Sequence, residues 1–189
     1  MDQHAVLEKL SETGALLSGH FLLRSGLHSD RYFQAALMLQ YTGVASQLCG
    51  VLAARFRDSG AATVISPAVG GIVVGQEVGR HLGLRAIFAE KDDASSLVLR
   101  RGFSLSPGEK VLVAEDVITK GGRVQQTVDL VRGFGAEVVG IAVLVDRSSA
   151  PIDFGAPLER LVKLDLPTYE PSVCPLCRRG VPLEKPGSK

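Results

Sequence analysis

The sequence predicts an α/β protein with a central, mostly parallel sheet flanked by helices, and three observations lead there. From residue 62 onward short apolar strands alternate with amphipathic helices, as parallel strands joined by crossover helices require. Glycines stand at the junctions, in Pro67-Ala68-Val69-Gly70-Gly71 and in Gly121-Gly122, where a strand must turn into a helix. The 189 residues are 46% hydrophobic and 22% charged, enough for one core and short for two. Disorder, a collagen repeat and a disulfide-stapled miniprotein are excluded.

Val6, Leu7, Leu10, Leu16 and Leu17 among polar neighbours suit a short amphipathic helix broken near Gly14. Phe21 to Met38 mixes apolar residues, turn formers and cations, as two short strands around a Ser25-Gly26 turn would. Val44, Leu48, Val51, Leu52 and Phe56 fall at helical spacing, and Gly60 stops that helix. Ala62 to Ser66 reads as a strand, Ile72 to Leu82 as a helix and Arg85 to Ala89 as a second strand. A polar stretch, Glu90 to Ser96, precedes an expected hairpin through Leu97 to Leu105. Lys110 to Ala114 is the next strand, a helix with Val124, Val128 and Val131 on one face follows Gly121-Gly122, and Glu137 to Val145 is a buried strand. After Pro167 a Pro- and Gly-rich tail packs on the core or trails from it.

Charge narrows the choice of partner. Twenty-one lysines and arginines against 20 acids leave a net charge of +1, too little for a field that holds a nucleic-acid backbone or an anionic membrane. Any anion must be held by a local site. Apolar runs such as Ile141 to Val145 fall far below the ~18 residues of a membrane span, and Met1-Asp2-Gln3-His4 lacks the pattern of a signal peptide, so a cytoplasmic protein is expected. Three cysteines, an odd number, suit reduced thiols in that compartment.

The chemistry concentrates in Val111-Leu112-Val113-Ala114-Glu115-Asp116-Val117-Ile118-Thr119-Lys120-Gly121-Gly122. A buried strand delivers two adjacent carboxylates to its C-terminal end, the edge where open parallel sheets bind ligands. The Thr/Gly loop opening the next helix offers successive backbone N–H groups and the positive helix end, a concavity suited to a phosphate monoester. Carboxylates beside a phosphate would repel it, so Glu115 and Asp116 more plausibly accept hydrogen bonds from sugar hydroxyls. Together these features describe a sugar-phosphate site.

This segment resembles the 5-phosphoribosyl 1-diphosphate binding motif of type I phosphoribosyltransferases. Phe21-Leu22-Leu23-Arg24-Ser25-Gly26, with Ser29 and Tyr32-Phe33, is similar to the amino-terminal hood of the family members that act on orotate. Val145-Asp146-Arg147 resembles their late strand ending in arginine, Pro67 to Ile72 their pyrophosphate loop, and the tail from Cys174-Pro175-Leu176-Cys177 through Lys185 to Ser188 that of a bacterial subgroup. The resemblance implies the type I phosphoribosyltransferase fold in one domain, with a hood of about residues 1–43, a core of about 44–166 and a tail of about 167–189. It further implies a homodimer that carries a phosphoribosyl group from 5-phosphoribosyl 1-diphosphate to orotate, with Mg2+ arriving through the substrate.

The same resemblance assigns roles. Lys91, Glu115 and Asp116 are the catalytic residues; Arg24, Tyr32, Phe33, Ala68, Val69, Gly70, Gly71, Thr119, Lys120, Gly121, Gly122, Arg123 and Arg147 bind substrate. Arg147 is the candidate for gripping the orotate carboxylate with its planar fork, the alternative being an ion pair with Asp146. Many members carry lysine where Gly70 stands and a small residue where Arg123 stands, and Arg24 replaces a common lysine. Of the usual lysine-rich catalytic loop, which in the family reaches the neighbouring subunit, only Lys91 falls on a basic position. The cation for the leaving group could come from Lys91, Arg100 or Arg101.

Tyr32 and Phe33 offer flat surface for a pyrimidine, although isolated aromatics are more often core. His20 and His28 have no partner at metal spacing and read as surface or loop histidines, the alternative for His28 being a contact with phosphate. Cys174 and Cys177 supply two of the four ligands of a structural zinc; a pair from a symmetry-related subunit could complete it, and a reversible disulfide is the alternative. Cys49 reads as a small buried hydrophobe. Two rival functions are transfer to another base and a phosphoribosyl-fold regulator binding nucleic acid, which the charge balance disfavours.

Overall fold

A computed structural model of the chain describes residues 1–23 and 25–186; Arg24 and the last residues of the tail motif lie outside them. The amino-terminal helix α1 (Gln3–Glu12) is capped by the Asp2 carboxylate, which accepts from the Ala5 N–H at 2.9 Å, and buries Val6 and Leu10. It ends before Gly14, so Leu16 and Leu17 belong instead to strand β1 (Leu16–Leu22), which pairs antiparallel with β2 (His28–Phe33) across the Ser25-Gly26 turn. A five-residue helix, α2 (Ala35–Leu39), follows without a predicted counterpart, and α3 (Thr42–Ala53) runs into a 3-10 turn at Ala54–Phe56.

The main sheet contains β3 (Thr63–Pro67), β4 (Arg85–Lys91), β5 (Leu97–Leu99), β6 (Lys110–Ile118), β7 (Glu137–Asp146) and β8 (Leu158–Lys163), in the order β5-β4-β3-β6-β7-β8. All neighbours are parallel except β5, which runs antiparallel to β4 at one edge. The predicted hairpin through 97–105 is therefore a single three-residue strand folded back on β4. The edge strand β8 has no predicted counterpart.

Crossover helices α4 (Gly70–Leu82) and α5 (Gly122–Gly133) leave β3 and β6 toward opposite faces. Val74 and Val78 of α4 pack with Leu48 and Leu52 of α3 against Val64, Leu112 and Ala142. Val124, Val128 and Val131 of α5 pack against Ile65, Val111, Val113 and Ile141. Alternation along β6 thus sends Leu112 and Ala114 to one layer and Val111 and Val113 to the other.

The β1–β2 ribbon is tied to the tail on both sides. Tyr169 exchanges two backbone hydrogen bonds with His28 at 2.8 Å, and Glu184 accepts from Leu22 and donates to the His20 carbonyl, also at 2.8 Å. His20 and His28, read from the sequence as surface or loop residues, are buried at 2% and 5% exposure, because this tail covers the ribbon. In the register Leu22 lies opposite His28, so His20, two residues away on the same face, meets His28 diagonally. Their ring centroids are 4.8 Å apart.

Leu112 is fully buried where β6 meets the α3–α4 layer, so Leu112→Ala should remove about 2–5 kcal/mol of stability, transfer and cavity effects together. Urea unfolding checks this as a fall in midpoint at unchanged m-value.

Candidate active site

Because α4 and α5 depart on opposite faces from adjacent strands, the C-terminal ends of β3 and β6 flank an open crevice. A cavity of about 1040 Å³ occupies it. Its walls include Ala68, Val69 and Gly70 after β3, Lys91 ending β4, Glu115 and Asp116 near the end of β6, and Thr119, Gly121, Gly122 and Arg123 at the start of α5. Of the predicted site residues, these are brought together. Lys120 is exposed beside the cavity without lining it, and Gly71 is buried behind it.

Phe33, expected to face a base, is 4% exposed and belongs to the core beneath α2 and α3, because its strand end packs inward. Tyr32 is half-buried and leans on Phe21 with ring centroids 5.8 Å apart; it does not line the cavity either. Gln34, Gln40 and Glu90 do line it, and sequence reasoning missed them. The two glutamines bracket the apolar run of α2, a polar–apolar–polar pattern too short to show a helical period.

Glu115 is only 4% exposed, and its Oε1 accepts the Asp116 N–H at 3.1 Å. Asp116 Oδ1 accepts the Val117 N–H at 2.8 Å. Burial, and next the negative charge of Asp116, push the Glu115 carboxyl up to about 9, so at neutral pH this acid keeps its proton. The start of α4 is shaped around the pair. A Cβ at Gly70 would drive into the Asp116 carboxylate, and one at Gly71 would sit 2.9 Å from Glu115 Oε1. A side chain at position 70 would require the Asp116 carboxylate to turn aside. Instead Arg123 reaches over from α5 and donates to the Ala68 carbonyl at 2.9 Å, bringing a guanidinium to this loop.

Gly121 opens α5 with φ +74°, and a Cβ there would lie 2.8 Å from the Phe154 ring, so both conformation and space demand glycine. The turn leaves the first N–H groups of a twelve-residue helix facing the cavity mouth.

The three candidate cations differ in their commitments. Arg101 holds Glu90 with two 2.8 Å hydrogen bonds, an exposed ion pair that keeps the Glu90 carboxyl below its ordinary range. Arg100 is exposed and does not line the cavity. Lys91 lines it, and its side chain makes no hydrogen bond or ion pair among the described residues. Arg147 follows β7, its backbone N–H donating to the Ile118 carbonyl at 2.8 Å. Its side chain lines no described cavity, yet is half-buried with Nε unpartnered, and burial lowers its pKa from the usual arginine value. The alternative pairing with Asp146 does not form. That carboxylate is taken by the Ser148 N–H at 2.8 Å, Ser148 Oγ at 2.6 Å, and Lys163 and Arg160 at 3.3 Å each.

Two acids, a glycine-opened helix start and a lysine share this crevice, and the phosphoribosyl transferase domain family matches residues 45–156, more than half of the chain, so the protein is a phosphoribosyltransferase. The orotate phosphoribosyltransferase of Desulforamulus reducens is 50% identical over 189 residues, covering 100% of this chain and 98% of its own. Among solved structures, the orotate phosphoribosyltransferase of Aeropyrum pernix superposes with a TM-score of 0.69 at 23% identity, over 84% of this chain and 93% of that one. An adenine phosphoribosyltransferase from Rhodothermus marinus reaches 0.65 at 21% identity, over 85% and 99%, so the fold is shared across bases and does not itself choose one. Within the phosphoribosyltransferases, the chain belongs to the orotate phosphoribosyltransferase family.

The protonation of Glu115 has a measurable sign. An unfolded glutamate releases its proton near pH 4.3, whereas the folded one holds it to about 9. This contribution is complete below the unfolded value and is lost as pH rises toward 9, at ~1.4 kcal/mol per pH unit. Urea unfolding at pH 6, 7 and 8 should show that slope in the parent, and Glu115→Gln, which cannot titrate, should flatten it by about that amount.

Proposed function

We propose that this chain transfers the 5-phosphoribosyl group of 5-phosphoribosyl 1-diphosphate to orotate, giving orotidine 5′-monophosphate and pyrophosphate in pyrimidine biosynthesis. The observation that carries the reading is the joint lining of one crevice by Glu115, Asp116, the Thr119–Gly122 turn and an uncommitted Lys91. The bond from ribose C1 to diphosphate breaks as the pyrimidine nitrogen bonds to C1, leaving positive character on the sugar and negative charge on the departing group. Asp116 and Glu115 orient the ribose hydroxyls, with the Asp116 charge on the side where the sugar becomes cationic. The α5 turn holds the 5′-phosphate. Lys91 meets the pyrophosphate, and Arg123 supplies from α5 the cation that many members carry at position 70. The electron-poor pyrimidine loses its proton readily, so positioning dominates the rate.

Magnesium is expected to arrive with the donor. The half-buried Asp116 carboxylate in the cavity wall is the hard oxygen donor this ion takes beside phosphate oxygens and water, so the residues fit. Bound there, it would neutralise charge on the diphosphate. Arg147, half-buried with no ion-pair partner among the described residues, is assigned to the orotate carboxylate, with Tyr32 beside it. We place the protein in the cytoplasm as a homodimer, with Lys91 serving the site of its own chain, whose cavity it lines.

Pyrophosphate release with orotate, uracil, adenine, guanine and hypoxanthine, each with donor and magnesium, tests the reading; a preference for any base but orotate would overturn it. In the same assay Arg147→Ala should lose about 2–5 kcal/mol in kcat/KM for orotate, the range for stranding a buried charge. Uracil turnover, lacking that carboxylate, should change little.

Lys91→Ala should lower kcat by about 10²-fold or more while donor KM barely moves, since the leaving group's charge develops in the transition state. Mixing Lys91→Ala with Asp116→Asn subunits under demonstrated exchange should restore no activity, because neither chain then holds both groups. Rescue would place Lys91 at the neighbouring subunit's site.

A further inference from the structure

We infer that His20, His28, Cys174 and Cys177 form a closed tetrahedral zinc site that fastens the carboxyl-terminal tail to the β1–β2 hood. The sequence supplied one half of a ligand set and left the other to a second subunit; the fold brings the second half from the same chain. The four donor atoms lie within 4.8 Å of one another. Nε2 of His20 is 2.9 Å from Nδ1 of His28, 3.6 Å from the Cys174 sulfur and 3.7 Å from the Cys177 sulfur, and Nδ1 of His28 is 3.3 Å from the Cys177 sulfur. Zinc bonds of ~2.0 Å to nitrogen and ~2.3 Å to sulfur give a tetrahedron with edges of ~3.3 to 3.8 Å, so the three nitrogen–sulfur separations of 3.3, 3.6 and 3.7 Å already match, the two nitrogens need to part by a few tenths of an ångström, and the widest pair needs to draw in by about an ångström.

Three further features point to a metal. The Nδ1 of His20 lies 2.8 Å from the Val181 carbonyl, which fixes the proton on that nitrogen and turns the Nε2 lone pair toward the cysteines, as an outer hydrogen bond does for a ligating histidine. His20, His28 and Cys174 are buried, with Cys177 closing the group on the solvent side. The set of two thiolates and two imidazoles selects zinc over the oxygen-seeking magnesium, and four protein ligands leave no open position for catalysis. None of the four lines the cavity between β3 and β6. Their place in the fold gives the role. The ligands come from β1, β2 and the short turn α6 (Pro175–Arg178), so the ion would join chain segments more than 140 residues apart and hold the hood that carries Tyr32 over the sheet.

The test is metal content, read independently of turnover. Protein expressed in zinc-supplemented medium and purified under reducing conditions without chelator should carry about one zinc per chain by plasma mass spectrometry. After removal of zinc, cobalt(II) added to the full chain should give the intense visible bands of a tetrahedral site and a thiolate charge-transfer band. Cys177→Ser, at an exposed position, should lose stoichiometric zinc and most of the charge-transfer band, while Cys49→Ala, a cysteine in α3, should keep both. Removing zinc should also open the tail to trypsin at Arg178 and Arg179. Reduced wild-type protein that carries no zinc and gives no cobalt bands would overturn the site, as would zinc retained in full by both Cys174→Ser and Cys177→Ser. A hydrogen-bonded histidine pair beside free thiols, or a Cys174–Cys177 disulfide, would then be the arrangement.

Discussion

Two adjacent parallel strands that send their helices to opposite faces leave a gap between the helix starts, and that gap is the constraint on which the molecule depends. The β3–α4 and β6–α5 turns face each other across it, and β4 and β7 on either side end at the same edge. Lys91 and Arg147 thus stand at equivalent strand ends flanking the two turns. Burying α4 against one layer and α5 against the other is what keeps the gap open. Packing both helices on one face would close it.

Into this gap the sequence puts two acids, and much of the local architecture answers their mutual repulsion. Burial first, and the neighbouring Asp116 second, leave the deeper Glu115 holding its proton. Their carboxylates fill the space beside the first turn of α4, where a Cβ at Gly70 would meet Asp116 and one at Gly71 would meet Glu115. The long side chain of Arg123 reaches across from α5 to the Ala68 carbonyl of the same loop.

The strand–acid–glycine–helix motif was legible because its residues act at consecutive positions, where chain order and spatial order coincide. The same holds for β3, β6, β7 and their crossover helices, whose valine-rich runs are buried on both faces. What escaped was short or set by tertiary contact. Helix α2 has too few residues for a period, and β8 (Leu-Glu-Arg-Leu-Val-Lys) carries the charges of an edge strand. Phe33 matched a substrate-facing pattern, but the direction of a strand-end side chain depends on what packs beneath it. His20 and His28 lack metal spacing along the chain; antiparallel pairing makes them diagonal neighbours, and only the fold of the tail brings the cysteines to them.

The least stabilising choices in the structure lie at the sheet edge that faces the crevice. Burying an arginine nitrogen without an acceptor costs free energy that a hydrophobic residue would not, and a surface acid could have paired with Lys91. Neighbouring residues show that the chain can make such pairs. Glu90 binds Arg101, and Asp146 is surrounded by Ser148, Arg160 and Lys163. Asp146 and Arg147 are adjacent in sequence yet unpaired, since their side chains leave the end of β7 in different directions. Saturating Asp146 from its own side leaves it unpaired with Arg147, just as Glu90 is tied to Arg101 and not to Lys91. In both pairs, the acid adjacent in sequence to the cation is occupied by another group, so each cation stays uncommitted at the edge of the sheet that faces the crevice.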